Sequence, residues 1–206
     1  MMHPLYTRLA LVIIGVFLIV SAGCARTQAT SFYLLAPLPH SETGTTAAEG
    51  GLVISIGPVA LPGYLDRPQI VSRPSENTLH LAVFNQWGEP LQVNFAHVLA
   101  ENVSILLPTD HIAVFPDLTG TPHDLSIAVQ VTRFERDASG NAVLTARWQI
   151  LEGRDSDVLL TRNSSFSSPI DGQDYEATVT ALNQTLTDFS REVAGAINSL
   201  SETASP

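Results

Sequence analysis

The chain has 206 residues, 45% of them apolar and 15% charged, with 13 Gly and 13 Pro; this balance fits one globular domain and excludes a disordered or coiled-coil chain. Its ten basic residues are all arginine and face twenty acids, giving a formal charge of −10, so a nucleic-acid backbone is repelled and no nucleic-acid partner is expected. The single cysteine, Cys24, excludes an intramolecular disulfide framework and any zinc site built on several thiolates.

At the start of the chain Arg8 is followed by an unbroken apolar run from Leu9 to Val20, then by Ser21, Ala22 and Gly23 directly before Cys24. A run of that length rises only ~18 Å as a helix. That is well short of a ~30 Å hydrocarbon core, so the run reads as an export signal rather than a membrane span. Ala22-Gly23-Cys24 resembles the bacterial lipobox, in which the cysteine thiol takes a diacylglycerol, the leader is cut before it and the new amine is acylated. The alternative is an ordinary signal segment with Cys24 incidental. By analogy with enteric lipoproteins, Ala25 in place of Asp after the cysteine directs the protein to the outer membrane. Loss of the leader removes Arg8 and leaves nine arginines against twenty acids. A chain so acidic does not hold itself to an anionic surface by charge, and the lipid does the tethering. The expected division is a leader over 1–23, a lipidated tether over 24–30 and one domain over 31–206.

Along that domain, Ser31 to Leu35 reads as a strand bounded by Pro37 and Pro39, and His40 to Gly51 as an exposed loop. Leu52 to Ile56 is apolar on both faces, which predicts a central strand stopped by Gly57-Pro58. After the turn-forming stretch Pro62 to Pro68, Gln69–Arg73 and Thr78–Phe84 read as a hairpin closed around Pro74 to Asn77. From Pro90 the period changes. Leu91, Phe95, Val98, Leu99, Val103 and Leu106 share one helical stripe while Gln92, Asn94, Glu101 and Ser104 face away, and Pro108 ends the helix. Ile112 to Phe115 is a short strand. Asp124–Glu135 and Ala142–Leu151 both alternate and are joined as a hairpin through Asp137 to Asn141. A further strand spans Val158 to Phe166, with Arg162, Ser164 and Ser165 marking a solvent face or edge. Tyr175 to Leu200 carries apolar residues every three or four positions, one long amphipathic helix with Asp171 or Asp174 as its N-cap. The expected fold class is α/β, of α+β-like organisation: a single compact domain whose mixed or mostly antiparallel sheet carries a mid-chain helix and a long C-terminal helix on one face.

Chemistry is sparse along this chain. It contains no G-x-S-x-G elbow, no S-x-x-K and no H-E-x-x-H, and its histidines are not paired at helical spacing. The expectation is a protein that is not an enzyme, with no catalytic residue, no metal and no cofactor. Asn102, Asn163 and Asn183 open glycosylation triplets, which are discounted as chance matches in a Ser/Thr-rich chain. What remains is binding. Tyr64-Leu65-Asp66-Arg67-Pro68 places an aromatic, an aliphatic and an opposite-charge pair in one loop, as either an interface anchor or a self-capping turn. Trp87 stands at the mouth of the mid-chain helix, as either a core plug or an exposed anchor.

In this order, the pieces resemble the ABC-type transport auxiliary lipoprotein family. The resemblance is carried by Cys24, Phe32-Tyr33-Leu34-Leu35, Gly57-Pro58-Val59, Pro62 to Val71, Trp87-Gly88-Glu89-Pro90-Leu91, Val98 to Asn102, Arg133-Phe134-Glu135 and Arg147-Trp148. Gln86 stands where the family usually has arginine. The resemblance implies an outer-membrane lipoprotein that faces the periplasm and works with a mammalian-cell-entry (MCE) protein of an inner-membrane permease and ATPase in lipid transport. The candidate contacts to that MCE-domain partner, or to a neighbouring copy in a homo-oligomer, are the residues singled out above: Tyr64, Leu65, Asp66, Arg67 and Trp87. The competing reading is a lipid-anchored assembly or activator protein of another envelope machine.

Overall fold

The computed structural model describes residues 28–39, 52–107, 109, 111–116, 122–153 and 157–204. Within them the elements run β1 (Ser31–Tyr33), β2 (Ile54–Ala60), β3 (Gln69–Ser75), β4 (Thr78–Trp87), α1 (Leu91–Leu106), β5 (Ile112–Val114), β6 (Leu125–Arg136), β7 (Asn141–Glu152), β8 (Asp157–Pro169) and α2 (Tyr175–Ala204). The expected leader, Cys24, the loop His40 to Gly51 and the helix stop at Pro108 lie outside the described residues.

One sheet carries all the strands, and of the two arrangements expected from sequence it is the mixed one. β6, β7 and β8 form an antiparallel meander. Along its other side β6 pairs in parallel with β2, and at its far end with β3 through Ser72 and Arg136. β2 also pairs with β5, so it is central. β3 and β4 form the expected hairpin, and the end of β4 pairs with β1. Both helices lie on one face, α1 over β2 and β5 and α2 over β7 and β8.

The core between the layers follows from periodicity. Leu125, Ile127, Val129 and Val131 of β6 and Leu144, Ala146, Trp148 and Ile150 of β7 are buried, as their alternation predicts. Phe95 of α1 meets Phe134 edge-on with centroids 5.4 Å apart, and Phe189 of α2 meets Trp148 edge-on at 5.9 Å. Burying each such ring contributes ~1.5–3 kcal/mol. A buried indole N–H needs an acceptor. That of Trp148 donates to Ser164 Oγ at 2.9 Å, and Ser164 in turn donates to Glu192 Oε1 at 3.0 Å. Ser164 is therefore buried, not the solvent marker that its polarity suggests.

Three further differences from the sequence reading have physical causes. β2 does not stop at Gly57-Pro58 but continues to Ala60, because its register with β6 shifts between Ile56 and Val59 and Pro58 sits in that irregularity. Gly57 has φ +120°, and a Cβ on it would lie 2.8 Å from Phe115 Cβ, so the close passage of the β5 end requires glycine. β6 carries a bulge between Val131 and Arg133. Strict alternation would turn Arg133 toward the helices, and the extra residue returns Phe134 to the core and puts Glu135 on the opposite face.

The third difference is Asn94, which faces inward at 6% exposure. It belongs to a clasp that holds the segment following β1 across both helices. Leu35 N–H donates to Asn94 Oδ1 at 2.7 Å, Ala36 N–H to Asn183 Oδ1 at 3.1 Å and Leu38 N–H to Asn102 Oδ1 at 2.7 Å. Asn102 also donates to Ser190 Oγ at 3.1 Å, joining α1 to α2. The segment has no ladder partner there, so the asparagines satisfy its amides. At the start of α2, Asp174 Oδ1 accepts from Ala177 N–H at 2.8 Å, which makes Asp174 the cap of the two candidates.

Candidate functional site

The β6 bulge exposes Glu135 to the face that the helices leave open, and the loop between β2 and β3 folds over it. Glu135 is fully buried and accepts from three side chains on three segments. Tyr64 Oη donates to Oε2 at 2.6 Å. Arg73 Nε of β3 donates to Oε1 at 2.7 Å, and Arg133 Nε of β6 to the same oxygen at 3.1 Å. Tyr64 Oη also lies 3.0 Å from the Thr132 carbonyl, and the Arg73 guanidinium stands over the Tyr64 ring at 5.2 Å.

The electrostatics of this cluster are self-consistent. Burial raises the Glu135 carboxyl, but the hydrogen bonds from Arg73, Tyr64 and Arg133 outweigh it and hold the group below the usual carboxylate range. Burial, reinforced by the hydrogen bond and the negative charge of Glu135, pushes the Tyr64 hydroxyl up to about 12, so it remains a donor. The ion partner Glu135 raises Arg73 in turn. A carboxylate with both oxygens engaged by fixed donors is a fastening, and it pins the loop to the sheet.

The five residues singled out in sequence are brought to one end of the domain in unequal states. Tyr64 is half-buried in the fastening. Leu65 is 1% exposed and Trp87 6%, so both side chains lie in the core. Asp66 is exposed and Arg67 partly exposed. Turn hydrogen bonds run from Leu65 N–H to the Pro62 carbonyl at 2.8 Å and from Arg67 N–H to the Leu65 carbonyl at 2.9 Å, so the loop caps itself locally. Arg67 Nη2 reaches the Gly63 carbonyl only at 3.5 Å, and Arg67 Nε is buried without a hydrogen-bond partner.

The Trp87 backbone N–H donates to the Pro68 carbonyl at 2.7 Å, and Gly88 N–H to the Tyr33 carbonyl at 2.8 Å. These two bonds join the Tyr-Leu-Asp-Arg-Pro loop, the Trp-Gly-Glu-Pro-Leu helix start and the Phe-Tyr-Leu-Leu opening strand. Sequence reading missed Arg73 and the role of Glu135, although Arg133-Phe134-Glu135 was among the pieces of resemblance. A charged triplet closing an apolar alternation was the available signal. The described residues contain no group of three or more His, Cys, Asp or Glu placed to hold a metal ion, and none of their helices is long and apolar enough to cross a membrane.

Comparison with known proteins gives this end of the domain its context. Residues 33–194 match the profile of a family described as the ABC-type transport auxiliary lipoprotein component. The intermembrane transport lipoprotein PqiC of Escherichia coli (strain K12) is 28% identical over 127 residues, 62% of this chain and 66% of that protein, and the PqiC of Shigella flexneri matches to the same extent. The match thus spans just under two thirds of the length of these relatives. Among solved structures, an uncharacterized protein shares the fold with a TM-score of 0.68 at 22% identity, over 82% of this chain and 99% of that one. Protein XCC0632 from Xanthomonas campestris does so with a TM-score of 0.65 at 19% identity, over 87% of this chain and 99% of that one.

Proposed function

The chain belongs to the family of ABC-type transport auxiliary lipoprotein components, and from that premise we propose that it is a non-catalytic subunit of an MCE lipid-transport system, anchored in the outer membrane through Cys24 and facing the periplasm. The relatives named for intermembrane transport support the setting. Ala22-Gly23-Cys24 and Ala25 support the anchor and the membrane.

The observation that carries the docking role is the pinned loop. Tyr64 is fastened to Glu135 from below while Asp66 is left at the surface with Arg67 beside it. A loop already held in one conformation loses little entropy on binding. The Arg67 Nε–H, unsatisfied in the free protein, gains an acceptor if the guanidinium turns toward a carbonyl or carboxylate of the MCE partner, and an unmet buried donor of this kind costs ~1–3 kcal/mol. Leu65 and Trp87 act on this reading from within, as the floor of the docking surface.

The test is the double variant Asp66→Ala with Arg67→Ala, assayed for thermal stability and for capture of the MCE partner on the same preparation. Binding should weaken while folding stays within ~1 kcal/mol of the parent, as for other surface changes. Normal capture by the folded variant would end the interface role of this loop.

A further inference from the structure

A second surface lies beside the anchor. Parallel pairing sets Phe32 opposite Gln86 and Tyr33 opposite Trp87. Tyr33 turns toward Asn85, its hydroxyl donating to Asn85 Oδ1 at 3.1 Å, so Phe32 and Leu34 project from the other side of this segment. Leu34 lies against Gly88, where an added Cβ would sit 3.3 Å from the leucine side chain. Phe32 is 66% exposed, Leu34 54% and Phe84 37%. Phe84 lies two residues before Gln86 and so shares the side of Phe32. Three large apolar side chains, two in or directly after β1 and one in its partner β4, are thus left in contact with solvent on one side, and such a concentration calls for an occupant.

Charge and tether length together identify that occupant. In a chain of formal charge −10, no Asp, Glu, Lys or Arg occurs from Thr27 to Pro39 or from Asn77 to Gly88, the two segments that build this edge. Formal charges are costly beside hydrocarbon, and their exclusion from this strip suits a lipid surface. Only residues 25–30 separate Cys24 from β1, so the strand begins within ~25 Å of the acylated cysteine even at full extension. The asparagine clasp on Leu35, Ala36 and Leu38 fixes the other end of that segment to both helices, so the domain cannot swing freely about β1.

We infer that the edge formed by Phe32, Leu34 and Phe84 rests in the interfacial region of the same membrane leaflet that holds the Cys24 lipid, giving the domain a fixed orientation on that surface. Apolar surfaces of this kind sit ~5–10 Å into the boundary between headgroups and acyl chains. The inference rests on the lipid anchoring of Cys24 proposed above.

The experiment uses the full chain, processed in cells and reconstituted into vesicles of phosphatidylethanolamine and phosphatidylglycerol, with and without a phospholipid brominated near the carbonyl end of its acyl chains. Phe32→Trp is compared with Val158→Trp at the start of β8, and the parent signal of buried Trp87 and Trp148 is subtracted. In the Phe32→Trp variant the added indole emission is expected to shift to the blue and to be lost in brominated vesicles, while the added emission of the Val158→Trp variant is unchanged. Flotation of the Phe32→Trp variant with the vesicles but with unquenched, red-shifted added emission would overturn the inference and leave the anchor standing. Blue-shifted emission without bromine quenching would overturn it too, by showing that a second copy or another protein covers the edge. Failure to float would sink both the anchor and the inference.

Discussion

Glu135 holds the candidate docking loop in place and does so as an anion. With its carboxyl depressed in the folded chain, the stability it confers is complete above the ordinary carboxylate value of 4.5 and is lost as pH falls below that value through the folded pKa. Tyr64 gives the opposite limb. Its unfolded hydroxyl ionises near 10 and its folded one at about 12, so stability falls as pH rises across that window. Glu135→Gln should cost ~2–3 kcal/mol at neutral pH, since three donors lose a charged acceptor, two of them arginines still partly open to water. Tyr64→Phe should cost ~1–2 kcal/mol. Urea titrations across pH check both, with the acid limb flattened in the glutamine variant and the alkaline limb flattened in the phenylalanine variant. An unaltered acid limb in Glu135→Gln would remove the fastening from its place as the loop's support.

At the scale of elements, the segment after β1 depends on the two helices rather than on the sheet. Asn94 and Asn102 lie two turns apart on α1 and face the same way, and Asn183 joins them from α2. Asn102→Ala removes the acceptor for Leu38 N–H and the donor to Ser190 Oγ, with an expected loss of ~2–3 kcal/mol. Hydrogen exchange locates the loss: the Leu38 amide should lose protection first, while amides in the β6–β7 ladder keep theirs. Uniform loss across the domain would mean that Asn102 serves only the contact between α1 and α2. The helix stripes were legible in the sequence because apolar side chains repeat at the helical period. The asparagines were not, because an amide on a helix shows its inward orientation only through a partner from a distant part of the chain.

For the molecule as a whole, anchoring and docking share one end. The opening strand, the pinned loop and the start of α1 are joined there by the bonds at Trp87 and Gly88, so the proposed tether and the proposed partner surface belong to one rigid unit. Cys24→Ser should leave a precursor that keeps its 23-residue leader and incorporates no acyl-chain label. A serine variant that is cut normally and stays in the membrane fraction would refute the lipobox reading.

The sequence by itself determined the element order, the single domain, a sheet with two helices and the family resemblance, because these rest on local features: apolar periods of two and 3.6, turn residues and short motifs. That the sheet is mixed rather than mostly antiparallel was decided by the parallel pairings of β2 and β1. Alternation along Leu125 to Val131 is one such local feature, and it runs true until the bulge. Only the tertiary structure decided what lies beyond it. Whether Phe134 or Arg133 faces the core depends on one extra residue in the β6–β7 register, and the burial of Glu135 depends on a loop more than sixty residues earlier in the chain. The same holds for Leu65 and Trp87, whose apolar side chains suit a core or an interface equally well. Their burial was settled by the sheet and helices that close over them, since the free energy of an apolar side chain depends on what covers it and no local pattern encodes that neighbour.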